Sequence, residues 1–135
     1  MERQSRRVAM NPPRVAAPIR PFYSNCVKVS AGPLLFISGQ VPLDREGKLV
    51  GHGDVKAQAG QVLENIKTIL EEAGASMPDV IKVTVFLTDI RQLEEVGEVR
   101  MRYFPADGPA STLVEVSKLA RPEWLVEIDA VAAVP

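Results

Sequence analysis

Between Asp54 and Gly74, the residues Val55, Ala59, Val62, Ile66, Ile69 and Ala73 recur at alternating spacings of four and three. That period places them on one face of a helix, and Leu63 and Leu70 widen the stripe. Lys56, Glu64, Lys67 and Glu71 occupy the opposite face. Asp54 suits the N-cap because its carboxylate can accept from an unpaired first-turn N–H. Gly74 supplies the stop, since glycine adopts the left-handed conformation that ends helices. Such a helix must lay its stripe on something, and the strands provide it. Residues 80–88 (VIKVTVFLT) alternate. Ile81, Val83, Val85 and Leu87 share one face; Lys82, Thr84, Phe86 and Thr88 share the other.

The remaining elements follow from local chemistry. Asp89 can cap a second helix over 91–103, with Leu93, Val96, Val99 and Tyr103 inward, and Pro105 and Gly108-Pro109 end it. Residues 23–29 and 34–40 read as strands, and Ser30-Ala31-Gly32-Pro33 between them predicts a hairpin. Residues 111–117 and 124–133 read as two further strands. The order is β-β-α-β-α-β-β, an α+β domain in which one mixed sheet carries both helices on one face. The other face is partly apolar through Phe86, Leu113 and Leu125, which predicts contact with another subunit.

A length of 135 residues is one domain's worth of chain. Residues 1–18 read as a basic Pro/Arg-rich arm and 19–135 as the single domain. Residues 1–20 hold five arginines against Glu2, a net +4, while the other 115 hold eleven basic and sixteen acidic side chains, a net −5. An acidic body argues against a nucleic-acid-binding surface, leaving only the arm to contact phosphate. No apolar run is long enough to span a membrane. The single cysteine, Cys26, excludes an internal disulfide and suits a reducing, cytoplasmic compartment. With His52 the only histidine, a Cys/His zinc site lacks ligands. No phosphate loop, dinucleotide fingerprint or nucleophile elbow is present. Chemistry on this chain falls to carboxylates, hydroxyls, backbone N–H groups and water. Glu127 stands out, lying mid-strand in an apolar run, where burial would raise its pKa and suit it to general acid–base work. The alternative is that Glu127 and Asp129 simply face solvent.

Five segments carry a family resemblance: YSNCVKV (23–29), LLFISGQVPLD (34–44), AQAGQVLENIKTILEEAGAS (57–76), VIKVTVFLTDI (80–90) and PASTLVEVSKLARPEWLVEIDAVAAV (109–134). Together they resemble the RidA/YjgF family of enamine/imine deaminases. The resemblance implies a chorismate-mutase-like subunit and a homotrimer with clefts between subunits. It also implies hydrolysis of reactive enamines and imines without metal or organic cofactor. It assigns a ligand-facing tyrosine to Tyr23, a backbone N–H donor to Gly39 and the water-positioning glutamate to Glu127. The family's active members hold a carboxylate-binding arginine in P-A-R-S. Here Ser111 stands at the arginine, Thr112 at the serine and Leu113 at the following Cys/Thr position. A charge-assisted bond to a carboxylate nets about 1.5–3 kcal/mol, so losing it costs about 10- to 100-fold in binding. Arg20, where many members have glycine, is the first candidate to replace it, and Arg121 the second. An arginine restored at position 111 is then expected to give activity on 2-imino acids.

Three readings follow. The first is a hydrolase of an imine, an enamine or a related C–N compound, with Glu127 and Tyr23 catalytic and Gly39, Ser111, Thr112, Leu113 and Arg20 binding the small-molecule substrate. The second is a non-catalytic trimer that binds a metabolite or partner in the same clefts, which Ser111 favours. The third is action on RNA, which the acidic body and the lack of a histidine pair oppose.

Overall fold

The computed structural model describes residues 5–135. Helix α1 runs Val55–Glu72, and Asp54 caps it by accepting from the Ala57 N–H at 3.1 Å. Gly74 ends it at φ 79°, a conformation that costs other residues energy. Val62, Leu63, Ile66 and Leu70 of the stripe are fully buried. Each such side chain contributes about 1.5–3 kcal/mol of transfer free energy.

Six strands accompany this helix among the described residues: β1 (Arg7–Met10), β2 (Cys26–Val29), β3 (Leu34–Gln40), β4 (Val80–Leu87), β5 (Ala110–Glu115) and β6 (Val126–Ala133). Four form a mixed sheet in the order β3-β6-β4-β5, with only the β4–β5 pair parallel. Helix α2 (Leu93–Tyr103) packs against α1, and α1 lies on β6 and β3. The alternation read in β4 holds from Val83 onward, with Val83, Val85 and Leu87 buried beneath the helices. At the irregularity between Val80 and Lys82 it is Val80 that is buried and Ile81 that is only half-buried. Val126, Ile128, Ala130 and Ala132 of β6 are buried too, as their period of two requires.

Three expectations change. Strands β2 and β3 do not form a hairpin: β2 pairs antiparallel with β1, in the register Arg7↔Val29 to Met10↔Cys26. The segment read as a basic Pro/Arg-rich arm therefore contributes a strand. Its arginines work on backbone carbonyls: Arg6 donates to those of Ser30, Pro33 and Val134, and Arg7 to that of Val80 at 3.0 Å. Leu113 lies opposite Val85, so it faces the helices rather than the open side. Leu93 is 44% exposed, because the Asp89 cap starts a 3-10 turn over Ile90–Gln92 before α2 begins.

Gln58 anchors the chain before β6. Fully buried on α1, it donates to the Gly51 and Glu123 carbonyls and accepts from the Leu125 N–H, at 2.8–3.0 Å. Gln58→Met keeps the volume but strands three backbone groups. We expect a loss of about 2–3 kcal/mol, read as a lowered urea midpoint at unchanged slope.

Candidate functional site

The residues singled out in the sequence fall into two groups on one subunit. The first lines a cavity of about 510 Å³ between α2, β5 and the segment before β2. Arg20, Tyr23, Ser111 and Leu113 all contribute to its wall. The second lies on the sheet face away from the helices. There Glu127 sits opposite Phe86 and beside Gly39. Neither Glu127 nor Gly39 lines the cavity. Thr112 also faces the open side, where it accepts from Lys82 Nζ at 3.0 Å. The sequence places all these residues in one site; a single chain does not bring them together.

Gly108 fixes the cavity's back wall. Its N–H donates to the Pro21 carbonyl at 3.3 Å, and its own carbonyl accepts from the buried Ser24 hydroxyl at 2.6 Å. Ser24 also bridges to Ala110 at the start of β5. A Cβ on Gly108 would fall on the Phe22 carbonyl group and within 2.5 Å of the Tyr23 nitrogen. The chain thus holds Phe22 and Tyr23 against β5 by close backbone approach. Tyr23 accepts from the Ile19 N–H through its hydroxyl oxygen at 3.0 Å. Its O–H has no acceptor among the described residues and remains able to donate to a ligand.

The most consequential residue of the cavity is one the sequence reading passed over. Arg100 of α2 is 3% exposed and lines the wall. It donates from Nη2 to Ser111 Oγ at 2.7 Å, and its guanidinium carbon lies 4.5 Å from the centre of the Phe22 ring. Among the described residues no carboxylate pairs with it. Burial pushes its pKa down to about 10, partly opposed by Tyr23, so it remains a cation at neutral pH. The signal was visible: Val96 and Arg100 are four apart, which puts an arginine on the helix's apolar face. Arg20 instead pairs with Glu94 at 2.8 Å, both well exposed. Arg121 stacks on Trp124 at 5.9 Å and does not line the cavity.

On the open sheet face, partial burial raises the pKa of Glu127, and the neighbouring Asp129 charge adds to this. Asp129 accepts from the Thr84 N–H at 3.1 Å. Burial holds the Lys82 ammonium below its usual range, partly opposed by Asp129. At the irregularity between Ile37 and Gln40, a Cβ on Gly39 would come within 2.8 Å of the Glu127 carboxyl group. Only glycine lets that carboxyl group lie against the β3 backbone. Around these polar groups Phe36 is 74% exposed, Leu34 45% and Val114 40%. Among the described residues no three His, Cys, Asp or Glu side chains are grouped to share a metal ion. No helix among them is long and apolar enough to cross a membrane.

This architecture, four mixed strands backed by two helices, recurs among known proteins. The family described as endoribonuclease L-PSP matches residues 14–134. A RutC family protein of Pyrococcus abyssi is 47% identical over 115 residues, covering 85% of this chain and 87% of that protein. The crystal structure of YyfB from Yersinia pestis, described as a protein of unknown function of the conserved Rid family, superposes with a TM-score of 0.88. It is 34% identical, and the match covers 95% of this chain and 98% of that one. A Mycobacterium tuberculosis member of the YjgF/YER057c/UK114 family superposes at 0.67 with 36% identity, over 83% and 86% of the two chains. The chain belongs to this family, which is the RidA/YjgF family the sequence resembles.

Proposed function

We propose that the protein is a hydrolytic deaminase of a reactive imine or enamine, working in a cleft between subunits of a homotrimer. The observation that carries this reading is Glu127, a carboxylate of raised pKa on an open sheet face with Gly39 against it. The exposed Phe36, Leu34 and Val114 around it support a neighbouring copy on that face. That copy would bring its own cavity, with Tyr23 and Ser111, to the Glu127 of the first. The separation of the two groups on one chain is what such a shared site requires.

In the proposed reaction Glu127 orients a water and takes its proton as the oxygen bonds to the C=N carbon. An enamine reacts after tautomerising to its imine. The resulting carbinolamine nitrogen receives the proton from Glu127. The C–N bond then breaks as Glu127 takes the proton of the new hydroxyl and passes it to the departing nitrogen, so the carbon becomes a carbonyl and ammonia leaves. The Gly39 N–H and the Tyr23 hydroxyl hold the substrate, with Ser111 and Leu113 on the cavity wall and Thr112 at the β5 edge. The base must be ionised to act. Its raised pKa therefore predicts kcat/KM for imine hydrolysis that rises with pH through a midpoint above the ordinary glutamate value of about 4.3. The profile is measured on an imine of constant protonation state. A rate flat across that range would remove Glu127 as the base.

The second reading, a binding protein without turnover, rests on Ser111 in place of the family's arginine. Under it, metabolite binding raises the melting temperature and no ammonia appears. For RNA, the arm arginines Arg6 and Arg7 have donors engaged with backbone carbonyls, which takes those donors from phosphate.

A further inference from the structure

Arg100 is a cation taken out of water without a counter-charge. Removing a charge from water is expensive unless it is paired, and a lone hydrogen bond to a hydroxyl does not balance it. Only one of its five N–H donors has a partner among the described residues, the Ser111 hydroxyl. The stacking on Phe22 fixes the plane of the guanidinium without neutralising it. The other donors belong to a side chain that lines a cavity whose remaining wall is largely apolar, including Ile90, Leu93 and Leu113.

We propose that Arg100 is the anion clamp of this cavity, so that the ligand is a small carboxylate with an apolar body. The proposal rests on the cavity being the substrate site, and it adds the charge the ligand must carry. Arg100 reaches the cavity from α2, while the strand position next to it, Ser111, is small enough to admit the guanidinium. The serine is thus the complement of Arg100: its hydroxyl accepts one N–H and orients the fork. Arginine at 111 would bring a second guanidinium to the place where Arg100 Nη2 lies 2.7 Å from Ser111 Oγ. Ser111→Arg is therefore expected to weaken carboxylate binding, contrary to what the sequence alone suggests.

The test compares hexanoate with hexanamide, equal in size and different in charge, by titration calorimetry on the full chain. The wild type is expected to bind hexanoate about 10- to 100-fold more tightly than the amide. Arg100→Gln keeps a donor for Ser111 and is expected to abolish that preference. Arg100→Lys, which keeps the charge and loses the fork, should retain part of it. The control Arg102→Gln, an exposed arginine of the same helix that does not line the cavity, should retain it all. Equal affinity of the wild type for both probes, binding of neither, or an unchanged preference in folded Arg100→Gln overturns the clamp. If Arg100→Gln does not fold, the wild-type comparison still decides, together with the Arg100 Nε–H resonance. That resonance must shift with hexanoate and not with hexanamide. These readouts need no turnover. A protein that discriminates the probes but releases no ammonia keeps the clamp and loses the hydrolytic reading; the converse keeps the hydrolysis and loses the clamp.

Discussion

Glu127→Gln is expected to lower kcat for imine hydrolysis by about 10²- to 10⁴-fold, the range lost when a general base is removed. The substitution keeps size and hydrogen-bonding reach, so the geometry against Gly39 survives. What disappears is the group that can take the water's proton. The stability effect should run the other way. Burial raises the Glu127 pKa in the folded chain, so the unfolded chain ionises first as pH rises. At neutral pH the charged carboxylate therefore costs the fold stability, a cost absent at acidic pH where both states are protonated. The neutral glutamine escapes this cost. We expect an equal or higher melting temperature at pH 7, with the difference vanishing toward pH 4. Lost turnover with a lowered melting temperature would instead mark Glu127 as a structural residue.

Gly108→Ala is expected to destabilise the fold by about 4 kcal/mol or more, at the extreme end of single substitutions. Most added methyl groups meet side chains that can move. Here the methyl meets the Phe22 carbonyl group and the Tyr23 nitrogen, which are main chain held by the Ser24 and Gly108 hydrogen bonds. Relief requires shifting the whole 21–24 segment away from β5, which opens the cavity wall and carries Phe22 off the Arg100 guanidinium. Urea unfolding gives the stability change. If the variant folds at low temperature, its affinity for a carboxylate should fall together with its stability. A Gly108→Ala protein within 1 kcal/mol of wild type would show that the close approach at Gly108 does not hold the segment.

Much of this fold was legible in the residues. The stripe of α1, the alternation of β4 and the inward set of β6 follow from period alone, because each element has one face on the core. What pairs with what was less legible. A turn-rich Ser30-Ala31-Gly32-Pro33 sits equally well between strands of different sheets, and β1 hides in an arm whose prolines and arginines read as solvent-loving. The arginines proved to be donors to backbone carbonyls at strand ends. For the candidate site, the family resemblance pointed to Tyr23, Gly39 and Glu127 but not to their separation into two groups on one chain. Arg100 was missed because a short helix with arginines at 100 and 102 looks like a solvated C-terminal turn. The spacing of four from Val96 singles out Arg100, and the packing of Phe22 against its guanidinium bears that out.

The most direct measurement is ammonia release from a panel of imines generated in situ, followed against the buffer-catalysed rate. The account predicts release in proportion to protein concentration, with one carbonyl product per ammonia and a preference for imines bearing a carboxylate. Release at the buffer rate for every imine, with carboxylates still raising the melting temperature, would contradict it and leave a binding protein.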